Sequence, residues 1–132
     1  LYEVVSLLMD IEKTLFVIFL VGCLLSAVLY VVFGQVTVRK LRKNPNTKEL
    51  LGMEFISGWD IINVAKAFSL PRNWMLKVEK SKFAFMYANS STLFENTSIF
   101  DRVLGCIFYW TLTLSGLLGA FIALLNSLGF FD

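Results

Sequence analysis

Four cations, Arg39, Lys40, Arg42 and Lys43, fall within five positions of this chain. Ammonium and guanidinium groups at that density neutralise phosphates, so the chemistry on offer is recognition of lipid headgroups or of a nucleic-acid backbone. Other reactive side chains are sparse. The chain has no histidine, which excludes His-ligated metals and haem and any imidazole base. Cys23 and Cys106 each sit inside an apolar run without a CxxC spacing, and read as small buried residues. No phosphate loop, nucleophile–base pair or metal cluster is legible. The expectation is therefore no catalytic, cofactor-binding or metal-binding residues, no cofactor, and no enzymatic activity.

The elements that must position the cations are unusual for a chain of 132 residues. Hydrophobic residues make up 57%, charged residues only 17%, and mean hydropathy is +0.70. Soluble domains run near about 25% charged, and a chain this small has too little interior to hide so much apolar surface. Separated from the cations by five residues lies "LFVIFLVGCLLSAVLYVVF", nineteen residues without a charge. A second uncharged run, "VLGCIFYWTLTLSGLLGAFIALL", covers Val103 to Leu125. A spanning helix needs about 20 mostly apolar residues, and neither run shows the polar face of a soluble core helix. Two transmembrane helices are expected, at 14–38 and 103–126. They follow a short extracytoplasmic segment at 1–13 and leave a tail at 127–132. The first run is too long for a cleaved signal, and acids rather than cations precede it.

Charge sets the orientation. Eleven of the twelve Lys and Arg residues lie in 39–102 against six acids, a net of +5, whereas 1–38 carries a net of −2. Cations at a helix end stay on the cytoplasmic side. Residues 39–102 are thus expected in the cytoplasm with both termini opposite, in a bacterial inner membrane. Neither run contains an acidic or basic residue, which argues against a proton or ion pathway. The N-glycosylation patterns at Asn89 and Asn96 carry no meaning in a cytoplasmic segment.

The basic middle reads as partly helical. Asn46 with Glu49, Ser57 with Asp60, and Ser98 with Asp101 all have capping-box spacing. "WDIINVAKAF" should end before Pro71, which then opens "PRNWMLKVEKSKFAF". Tryptophans among lysines suit amphipathic helices lying in a membrane interface. A headgroup-facing set follows: Arg39, Lys40, Arg42, Lys43, Trp59, Trp74, Lys77 and Lys80. "IINVAKAFSLPRNWMLKVEK" also looks like a DNA-reading helix-turn-helix, with Ala65 at the small position and Val64, Phe68, Leu70, Met75 and Val78 as packing residues. Against it, Ser69 stands where glycine is usual.

In the apolar runs, Gly22, Ser26, Ser115, Gly116, Gly119 and Ala120 have the four-residue spacing that lets helices approach closely in lipid. Gly105 reads as lying outside that seam. The layout, with Leu-Arg and Phe-Asp-Arg fragments, is similar to small bacterial inner-membrane proteins such as universal stress protein B; no residue or function is transferred from it. The fold class is an all-α membrane protein of two spans joined by a basic, partly helical segment with interfacial helices. The expected function is a non-catalytic accessory subunit that packs on other integral membrane subunits and anionic lipids, or on itself. The alternatives are a membrane-tethered DNA-binding regulator, although nucleic acid is a poor fit, and a self-assembled channel lined by Thr111, Thr113 and Ser115.

Overall fold

The first helix does not stop where its hydropathy falls. In the computed structural model, which describes residues 1–52, 58–82, 84 and 87–129, α1 spans Tyr2–Phe33 and continues without a break. It passes through a π-helical turn at Gly34–Val38 into α2, Arg39–Lys43. Asn44 ends the run at φ −81° and ψ 119°, the extended conformation that a following proline imposes. Here that proline is Pro45. The rest of the chain forms α3 (Trp59–Ser69), α4 (Arg72–Glu79), α5 (Ser90–Glu95) and α6 (Ile99–Ser127). Among the described residues there is no strand.

Local chemistry explains most boundaries. Gly58 precedes α3 at φ +89°, a left-handed conformation that glycine adopts without the Cβ penalty. Leu70 is extended before Pro71 and closes α3. The Asn89 side chain accepts the Thr92 N–H to start α5. At α6 the Ser98–Asp101 box forms: Ser98 N–H donates to the Asp101 carboxylate at 3.0 Å, and Asp101 N–H donates to Ser98 Oγ at 3.3 Å. The Asn46–Glu49 spacing makes turns and no helix. Asn44 Oδ1 takes the Asn46 N–H, and the buried Thr47 hydroxyl donates to the Leu41 carbonyl, capping α2. Ser57 lies outside the described residues, as does part of the segment in which the α4 helix was expected to continue.

Two compact units divide the chain: Leu1–Ala27 with Thr111–Asp132, and Val28–Trp110. In the first, α1 and α6 run antiparallel, since Phe19 meets Gly119 and Gly22 meets Ser115. In the second, the last turns of α1, the π-helical turn and α2 pack with α3, α4, α5 and the start of α6. Phe33, Val38, Leu41, Val64, Ala65, Phe68, Met75, Leu93 and Phe108 are buried there. A chain of rings runs through it, with centroids 5.9 Å apart for Tyr30–Phe108, 6.0 Å for Phe108–Phe33, 6.3 Å for Phe33–Phe68 and 5.6 Å for Phe68–Phe94. Such pairs contribute about 0.5–1.5 kcal/mol each beyond area burial.

Three expectations change. Gly105 is a core position: a Cβ there would lie 2.9 Å from both Phe33 Cζ and Phe68 Cδ2. The C-terminal part of the first expected span, at Phe33, Gly34, Thr37 and Val38, is covered by protein. Helix α3 is also a core element, with Asp60, Ile61, Asn63, Val64, Ala65, Ala67 and Phe68 all buried. Its apolar residues cover too much of the circumference to leave one face for lipid. Outside this unit the long helices are bare. Only 6% of the most apolar stretch of the first and 11% of that of the second is buried. Both are long and apolar enough to cross a membrane.

Candidate functional site

The basic cluster divides by the geometry of its helix. Thr37, Lys40 and Leu41 fall on one side, and there Asp101 of α6 waits, 1% exposed. Its carboxylate accepts from Thr37 Oγ1 at 2.6 Å, from Lys40 Nζ, and from Ser98 N and Oγ at 3.0 Å each. Burial of a carboxylate is tolerable when donors fill its lone pairs in this way. On another side, Arg42 Nε and Nη2 donate to the two carboxylate oxygens of the buried Asp60 on α3, the bidentate geometry guanidinium favours. Lys40 and Arg42 are thus structural cations, each about half-exposed at the side chain. Arg39 and Lys43 are exposed and make no ion pair among the described residues.

A cavity of about 390 Å³ opens beside this cluster, lined by Tyr30, Val31, Gln35, Arg39, Arg42 and Ile61, with Gly34 at its wall. The Tyr30 hydroxyl donates to the Gly58 carbonyl at 3.3 Å. Bulk at Gly34 is limited by Ile61, whose Cδ1 would stand 2.8 Å from a Cβ.

The remaining headgroup candidates scatter. Trp59 is half-buried at the start of α3, whereas Trp74 on α4 is 55% exposed beside the exposed Lys77 and Lys80. Met75 alone of α4 is buried. Arg72 stacks on Phe94, 4.6 Å from the ring centroid, and donates to Ser90 Oγ at 2.7 Å. Glu79 accepts from Ser90 Oγ, Ser91 N and Ser91 Oγ. Burial pushes the Glu79 carboxyl up, but those three donors and Arg72 outweigh it and hold it below the usual value. The ends of α4 are thus tied to α5. The segment that resembles a helix-turn-helix has its Ala65, Val64, Phe68 and Met75 buried.

The small residues of the apolar runs also separate. A Cβ on Gly22 would collide with Ser115 Oγ, and one on Gly119 would lie 2.5 Å from the Phe19 ring. Ser26 is buried and donates to the Gly22 carbonyl at 2.8 Å. Gly116 has nothing within 4 Å of a Cβ position, and Ala120 is exposed. Thr111 and Thr113 are half-buried. Both glycosylation-pattern asparagines are engaged in the fold. Asn89 caps α5, and Asn96 receives Asn44 Nδ2 while donating to the Thr92 carbonyl.

Sequence reasoning missed Thr37 and Tyr30, and saw Asp101 only as a cap. Thr37, a hydroxyl in the uncharged turn just before the cations, was the available signal. Comparison with protein-family models, curated proteins and solved structures finds no match.

Proposed function

We propose that this chain is an integral membrane protein of two spans, acting as a non-catalytic accessory subunit of a larger membrane complex. One observation carries the reading: two long apolar helices are almost entirely uncovered, while Val28–Trp110 builds a core whose buried polar side chains are satisfied among the described residues. A soluble protein would hide such helices; water-exposed apolar surface of that extent is otherwise found only at interfaces with lipid or with other proteins. The basic residues at 39–43 support a cytoplasmic side for residues 39–102, since cations next to a span favour that side. The inner membrane of a bacterium is the setting this arrangement suits.

Two measurements test it. Single cysteines at Ser6, Ser81 and Ser127, all exposed, report sidedness after Cys23 and Cys106 are replaced. An impermeant thiol reagent on intact spheroplasts should label positions 6 and 127 and spare 81; the reverse pattern overturns the orientation. Recovery from mild detergent should bring stoichiometric membrane partners identifiable by mass spectrometry. Recovery as a lone monomer would refute the accessory role.

A further inference from the structure

We infer that the cavity beside Tyr30, Gln35 and Arg39 binds the phosphate of an anionic phospholipid, with Arg39 as its anchor. The inference deepens the membrane reading above and rests on it. Four cations crowd residues 39–43, but the fold spends two of them. Lys40 belongs to Asp101 and Arg42 holds Asp60. Arg39 is the one cation of the four that both lines the cavity and makes no ion pair among the described residues. A guanidinium presents a planar fork of donors that matches two phosphate oxygens. Gln35, exposed and four positions earlier on the same helical run, adds an amide donor at the same wall.

Position selects a lipid over a free phosphate ester. Tyr30 and Val31 belong to the uncharged run of α1, and Arg39 is the first charge after it. A phosphate at Arg39 would therefore sit at headgroup depth, with its acyl chains along the bare surface of α1. Val31 and Ile61 supply an apolar wall for the glycerol end. The volume, about 390 Å³, lies within the usual range of small-ligand sites.

The full chain is reconstituted in nanodiscs of phosphatidylcholine mixed with phosphatidylglycerol, and lipid retained on release is read by native mass spectrometry. The parent should retain phosphatidylglycerol preferentially. Arg39→Gln should lower that preference about tenfold, as loss of a charge-assisted hydrogen-bonded contact does. Arg39→Lys, which keeps the charge and loses the fork, should fall between. Lys43→Gln removes an equal charge one turn away, outside the cavity, and should leave most of the preference. Equal losses from Arg39→Gln and Lys43→Gln would mean diffuse surface charge and overturn the site. Displacement of the lipid by glycerol 3-phosphate would overturn the lipid assignment in favour of a soluble phosphate ester. A chain that inserts but shows no preference refutes the site alone; a chain that does not enter the nanodisc refutes the membrane reading with it.

Discussion

Replacing Asp101 with alanine should unfold the Val28–Trp110 unit at a much lower temperature. The carboxylate has four donors: Thr37 Oγ1, Lys40 Nζ, Ser98 N and Ser98 Oγ. Loss of the reciprocal cap costs about 1 kcal/mol. The Thr37 hydroxyl, 0% exposed, is left without its acceptor, which costs about 1–3 kcal/mol. Threonine in a helix can turn back to an i−4 carbonyl, so the lower half of that range applies. Lys40 is half-exposed and stays solvated, so its share is the about 0–1 kcal/mol of a surface pair. Together these come to about 3 kcal/mol. A unit of this size shifts by about 4–8 °C per kcal/mol, so the melting temperature should fall by about 12–24 °C. The assay is near-ultraviolet circular dichroism of the full chain in detergent, where the packed Phe and Trp rings report tertiary order. Thr37→Val supplies the second side of a double-mutant cycle. It should cost about 1 kcal/mol in the parent and recover about 1 kcal/mol once Asp101 is gone, because the orphaned hydroxyl goes with it. Melting of Asp101→Ala within about 3 °C of the parent, equivalent to under 1 kcal/mol, would refute the reasoning, as would strictly additive losses.

Two further outcomes follow from packing and charge. Gly119→Leu should separate α1 from α6, because even a Cβ meets the Phe19 ring at 2.5 Å. Overpacking of this kind costs about 1–3 kcal/mol, and lipid offers no compensating hydrophobic gain. Gly116→Leu, facing open space, is the control and should leave disulfide trapping between engineered cysteines on the two helices unchanged; equal behaviour of both variants would remove the seam. For Glu79, the folded carboxyl titrates below its ordinary value of 4.5. The unfolded state therefore binds the proton more readily, so the stabilisation is whole above pH 4.5 and is lost as pH falls below it. Glu79→Gln should flatten the acid limb of a stability–pH curve measured by chemical denaturation. An unchanged limb would show that Ser90, Ser91 and Arg72 do not govern this titration.

Local signals alone determined a good deal here. Two long apolar runs, the end of α3 before Pro71 and the Ser98–Asp101 cap all depend on residues within a few positions of one another. Hydropathy, proline sterics and capping act over that range, so the linear order carries them. What each charge and each glycine is for depended on residues far along the chain. Asp101 meets Thr37 and Lys40 across separations of 64 and 61 positions, and Asp60 claims Arg42 from 18 positions away. No spacing rule ties such partners together; only the packing of α6 and α3 around the π-helical turn does. The glycines show the same division. Gly105, Gly116 and Gly119 look alike in a hydrophobic run, yet one lies under two phenylalanine rings, one faces open space, and one admits Phe19. A missing side chain has meaning only through the atom that takes its place, and tertiary structure alone supplies that atom.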